Sequence, residues 1–154
     1  MDTHEHHHGP DTSWAGARSA TLHCLTGCAI GEVLGMIIGT ATGLHNAGTV
    51  VLSIVLAFVF GYGLTARGVL AAGLTLGAAL QVAFAADTVS IAVMEVVDNA
   101  FVVAVPGAMD AGLGDLLFWA SLAGSLVIAF GAALPVNKWL IARGRGHAVV
   151  HEYH

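Results

Sequence analysis

The stretch from His23 to Gly43, HCLTGCAIGEVLGMIIGTATG, carries glycine at every fourth position: Gly27, Gly31, Gly35, Gly39 and Gly43. A second row of the same spacing runs beside it: Cys24, Cys28, Glu32, Met36 and Thr40. On a helix, residues four apart stand one above the other and successive residues are about 100° apart, so the rows are adjacent strips of one surface. One strip is bare backbone, the other holds soft and ionisable side chains, and the remaining positions (Leu22, Leu25, Ala29, Ile30, Val33, Leu34, Ile37, Ile38) are apolar. The pattern predicts a membrane helix, packed through glycine, that keeps reactive side chains inside a bundle.

Composition supports this. Of 154 residues, 56% are hydrophobic and 10% charged, and mean hydropathy is +0.80, whereas a soluble domain carries about 25% charged residues. With roughly 20 apolar residues per crossing, the length allows four spans, or five at most, and leaves no room for a soluble catalytic domain. The net charge of -5 is spread over isolated acids and the five basic residues form no patch, so nucleic acid is not an expected partner. The lipid bilayer is. Two cysteines four apart on one helix are poorly placed for an unstrained disulfide and are read as thiols. The first 20 residues are polar and histidine-rich without an apolar core, unlike a cleavable signal peptide.

The expected fold is therefore all-α, a polytopic membrane bundle over residues 19–142, with histidine-rich tails at 1–18 and 143–154. The first span runs from about Ser19 to Gly43 and the second from about Thr49 to Thr65. From Val69 to Val105 lie 37 residues without proline, about 55 Å as one straight helix and nearly twice the hydrocarbon thickness. The chain there must break or bend, and the cluster Asp87, Thr88, Ser90 offers capping residues for a break. The last span starts near Gly114 and Asp115, with Trp119 at one interface and Pro135, Lys138 and Trp139 marking the other. With four spans, Arg18, Arg67, Lys138, Arg143 and Arg145 share one side while Asp110 and Asp115 share the other. That satisfies the positive-inside rule with both termini cytoplasmic, in a prokaryotic inner membrane. Four spans are preferred over five, with residues 87–105 a bent or re-entrant extension of the third.

Ionisable groups in the apolar segments need a reason, since each costs about 2.5–3.5 kcal/mol on insertion scales. In DTVSIAVMEVVDN, residues 87–99, Asp87, Ser90, Met94 and Asp98 share one helical face, with Glu95 and Asn99 on its flank. Such a face suits a cation site, a cation path, or a set of hydrogen bonds between helices. Thiols and thioethers favour Cu(I) or zinc, and carboxylates favour harder cations. His23, Cys24, Cys28, Glu32, Asp87, Glu95 and Asp98 are the candidate metal ligands. His147 and His151, four apart in the C-terminal tail, and the N-terminal His4, His6, His7 and His8 are candidate weak ones. No phosphate loop, nucleophile elbow, haem attachment site or zinc protease motif is present, and no organic cofactor is expected.

At HCLTGCAIGE, DTVSIAVMEVVDN and PVNKWLIARGRGHAVVH the chain resembles a bacterial and archaeal membrane family, domain of unknown function 4396. The resemblance implies a small multi-span protein with His23, Cys24, Cys28, Glu32, Asp87, Glu95, Asp98, Asn99, Asn137 and His147 as functional positions. Labels within that family suggest copper oxidases, but this chain lacks a cupredoxin-like domain and paired His-x-His blocks.

The leading expectation is a membrane metal-handling protein, a transporter, carrier or metal chaperone for copper or zinc, with an intramembrane cysteine, histidine and carboxylate site; whether the chain is an enzyme is left open. A different class is an accessory or assembly subunit whose polar residues are structural. A third is a small membrane oxidoreductase with a carboxylate and histidine metal centre. The glycine row is a packing seam in every case. The sequence leaves open whether its partner is another helix of the chain, a second copy, or a larger membrane complex.

Overall fold

The structure is a computed structural model that describes residues 14–143. Four helices run in sequence: α1 (Trp14–Thr42), α2 (Asn46–Ala71), α3 (Leu76–Ala104) and α4 (Leu116–Ala142), with a 3₁₀ turn at Ala108–Asp110 before α4. Each of the four is long and apolar enough to cross a membrane. The helices form a closed ring in chain order, α4 returning to α1, and α1 also touches α3 across the diagonal. The outward faces carry exposed Val55, Val59, Phe84, Val96, Val103 and Val127. The interior is built of alanine, serine, threonine and the ionisable residues.

Glycine sets the tightest contact. Gly27 lies against Gly61, Gly31 against Ala57, Gly35 against Ser53 and Gly39 against Thr49. The partners descend by four as the ladder climbs by four, which is the register of two antiparallel helices. A Cβ on Gly27 would lie 2.8 Å from the Gly61 Cα, one on Gly31 would lie 2.6 Å from the Ala57 Cα, and one on Gly35 would lie 2.7 Å from the Ser53 Cα. The seam thus closes within the chain, against a small-residue row on α2. Gly43 takes no part: at φ 69 it ends α1 and starts the turn into α2. His45 then caps α2, its Nδ1 accepting from the Gly48 N–H at 2.8 Å.

Three boundaries differ from expectation. The long proline-free run divides at Gly73, not at Asp87 to Ser90, and residues 87–104 are the continuous second half of α3. Gly73 adopts φ 93, a conformation that glycine reaches without strain, and Thr75 caps α3 by accepting from the Ala78 N–H at 3.4 Å. Asp87 and Ser90 point into the bundle, and Thr88 donates back to the Phe84 carbonyl at 2.6 Å, so none of the three is used to start a helix. No bent or re-entrant segment is therefore needed. Second, α1 begins at Trp14, because Gly16 and Ala17 are buried and the Lys138 ammonium of α4 lies 4.7 Å from the Trp14 ring centroid. Third, α2 continues past Arg67 to bury Val69 with Ala79 and Ala83, and α4 continues through Pro135 to Ala142.

The seam makes a prediction. Replacing Gly31 by Val drives a side chain into the α2 backbone and should destabilise by at least the ~1–3 kcal/mol of ordinary overpacking. Gly63→Ala, on the open face of α2 with nothing within 4 Å, should be neutral or stabilising by up to about 1 kcal/mol. Thermal unfolding in detergent, followed by loss of helical circular dichroism, compares the two. Equal melting temperatures for both variants would contradict the seam.

Candidate functional site

The glycine seam fixes how α1 is rotated about its axis, and the row 100° away then points to the centre of the bundle. Cys24 and Cys28 are buried there, and Glu32 continues the row, half-buried. From the diagonal helix α3, the face bearing Asp87, Ser90, Ile91, Met94, Glu95 and Asp98 is buried toward the same centre. The two polar rows expected from the sequence therefore face each other.

They meet in layers. At the level of Cys24, its thiol donates to Asp87 Oδ1 at 3.6 Å. Ser90 lies beside that thiol, and Thr65 of α2 lies beside the Asp87 carboxyl. Tyr62 closes this layer, donating at 2.8 Å to Thr88, whose own proton is committed to the Phe84 carbonyl. One helical turn further, Cys28 Sγ is 4.0 Å from Met94 Sδ, and the Glu95 carboxyl lies beside the thiol. Ala57, Ala129 and Ala133 complete an apolar shell. The next layer brings Glu32, Glu95 and Asp98 within reach of one another. Asn99 donates to Glu95 Oε2 at 3.4 Å, and Ser125 of α4 donates to Asp98 Oδ1. Glu32 Oε1 and Glu95 Oε1 remain buried without a hydrogen bond of ordinary geometry.

Above that carboxyl layer the bundle opens. A cavity of about 330 Å³ lies at the end formed by the α1–α2 turn and the α3–α4 connection. Its floor is Glu32, Asp98 and Asn99, and Met36, Asn46, Asp110 and Phe118 are among its walls. At its rim, Asn46 Nδ2 donates to Asp110 Oδ1 at 2.9 Å, tying the start of α2 to the 3₁₀ turn. At the opposite end of the bundle small polar and apolar side chains pack together. Asn137 Nδ2 donates to Thr21 Oγ1 at 2.9 Å, Thr21 donates onward to the Ala17 carbonyl at 2.7 Å, and Ala17, Ala20 and Ile141 pack beside them.

Of the expected ligands, the structure thus unites Cys24 with Asp87, and Glu32 with Glu95 and Asp98. His23 is half-buried one step round the helix from Cys24, in line with the glycine row rather than the carboxyl column. His147 and His151 lie outside the described residues. Among the described residues, no three His, Cys, Asp or Glu side chains converge closely enough to hold one metal ion. The sequence reading missed Met94 as a neighbour of Cys28, and Thr65 and Ser125 as partners of the carboxyls. The signal for the last two was present: Thr49, Ser53, Ala57, Gly61, Thr65 and Ser121, Ser125, Ala129, Ala133, Asn137 are four-residue rows like the glycine ladder.

The chain belongs to the family described as domain of unknown function (DUF4396), whose model matches residues 13–146. No curated protein and no solved structure matches the chain.

The Ser125 to Asp98 bond is the link that holds α4 to the carboxyl layer. In a double-mutant cycle of Ser125→Ala and Asp98→Asn, read by unfolding in detergent, the coupling energy should be about 0.6 kcal/mol, the average for hydrogen bonds between membrane helices, and at most about 1.7 kcal/mol. Additive effects would mean that the two side chains do not interact.

Proposed function

We propose that this is a membrane transporter or carrier for a metal cation, copper or zinc, that takes its cargo from the cavity into the interior of the bundle. The observation that carries this reading is Glu32 and Asp98 at the floor of an open cavity, with Glu95 beside them and a thiol and a thioether in the next layer down. Intramembrane carboxyls are expensive and, in a bundle interior, mark cation or proton paths. Low-dielectric walls focus their field, so a cation in the cavity is drawn to that floor. Deeper in, the donors turn from oxygen to sulfur, which selects soft and borderline metals over magnesium or calcium.

The charges at the two ends support an orientation. Arg18, Arg67, Lys138 and Arg143 belong to the closed end, and Asp110 and Asp115 to the open one. By the positive-inside rule both termini are cytoplasmic and the cavity faces out. The histidine tails then lie where they can collect a cation released inward. In this reading the small hydroxyls do separate work: Ser125, Thr65 and Ser90 hold the carboxyl and thiol groups in place, and Asn137 with Thr21 closes the inner end.

The test is flux. Protein reconstituted in vesicles should admit Cu(I) or Zn(II) faster than empty vesicles do, and Glu32→Gln should lower the initial rate severalfold. Rates equal to those of empty vesicles for both metals would refute the proposal.

A further inference from the structure

Resting on that reading, we infer that Cys28 and Met94 form a two-sulfur binding site for a soft monovalent metal ion, Cu(I) or its analogue Ag(I), with Glu95 as the proton acceptor. Two sulfurs each bonded at ~2.3 Å to one metal stand about 3.8 Å apart at a tetrahedral angle and about 4.6 Å apart when linear. The observed 4.0 Å separation falls between these limits. The site is dry: Cys28 is 2% exposed, Met94 1% and Glu95 4%. Around the sulfurs stand Ala57, Ala129 and Ala133, none of which carries a polar side chain.

Three features choose the ion. Thiolate and thioether donors favour Cu(I) and disfavour hard cations. Zinc wants four nitrogen, sulfur or oxygen ligands, and among the described residues no three His, Cys, Asp or Glu side chains are placed to hold one metal ion. Charge gives the third. When a monovalent ion bonds to the Cys28 sulfur, the thiol proton leaves and passes to the Glu95 carboxylate beside it, giving a neutral metal thiolate and a neutral carboxylic acid. A divalent ion would leave one positive charge at the sulfurs that only the carboxyls of the next layer could offset, a penalty that a monovalent ion avoids. Glu95 is placed for this role, since Asn99 occupies Oε2 and the carboxyl lies beside the Cys28 thiol.

The experiment is a silver nitrate titration of the full-length protein in detergent, with bound Ag(I) measured after equilibrium dialysis and its ligands read by X-ray absorption. Wild type should hold one tight Ag(I) per chain with two sulfur neighbours. Met94→Leu, which conserves volume and so keeps the fold, should weaken that site by at least about tenfold, the smaller loss known for mere supporting groups, and leave one sulfur neighbour. Cys28→Ser should abolish the tight site and expose only the weak background of the histidine tails. Tight Ag(I) binding that is unchanged in Met94→Leu would overturn the two-sulfur site while leaving the metal-carrier reading intact. Wild type that binds no Ag(I) tightly, in a protein that still carries Zn(II) in vesicles, would also overturn this site alone. Failure of both metals in both assays would remove the site and the carrier together.

Discussion

The backbone contact between α1 and α2 is the constraint on which the interior depends. In lipid, helices gain little from hiding apolar side chains, because the hydrocarbon around them is as apolar as they are. Association rests instead on close approach, which bare glycine permits and any Cβ would prevent. Gly27, Gly31, Gly35 and Gly39 meet Gly61, Ala57, Ser53 and Thr49 in one antiparallel register. That register fixes both the height and the rotation of α1, and rotation decides where Cys24, Cys28 and Glu32 point. A helix turned by half a turn would present them to lipid.

Once α1 is set, the diagonal helix α3 supplies the opposite wall, and the polar column follows from pairing. Cys24 meets Asp87, Cys28 meets Met94, and Glu32 meets Glu95 and Asp98. α2 and α4 contribute short hydroxyl and amide side chains, Thr65, Ser125 and Asn137, which reach the column without widening the ring. The column is asymmetric. At one end a cavity of about 330 Å³ leads to the carboxyls, and at the other Asn137, Thr21, Ala17 and Ile141 fill the space. On the carrier reading proposed above, an open end and a packed end correspond to a carrier facing a single side. A pore for continuous flow would be open at both.

Much of this was legible in the residues alone, because a strict spacing leaves few alternatives. The glycine ladder, the Cys24, Cys28, Glu32 row and the Asp87 to Asp98 face were visible as helical stripes, and their burial is as expected. The break at Gly73 was less legible, because aspartate and serine cap helices as readily as they line an interior, and only the neighbours decide between these uses. The rows on α2 and α4 escaped because serine and alanine merge into an apolar background, although their spacing matches that of the glycines. The partnership of Met94 with Cys28 could not be read at all. A methionine on a buried face is ordinarily packing, and which sulfur stands across from it depends on the relative height of two helices that are not consecutive in the chain.

On the proposed reading this column is a soft-metal path with a sulfur layer, Cys28 and Met94, between α1 and α3. An anomalous-difference map from crystals grown with Ag(I) tests it most directly. A peak is expected between Cys28 Sγ and Met94 Sδ, below the floor formed by Glu32 and Asp98. A map whose only peaks lie on surface histidines, with the interior of the bundle empty, would contradict it.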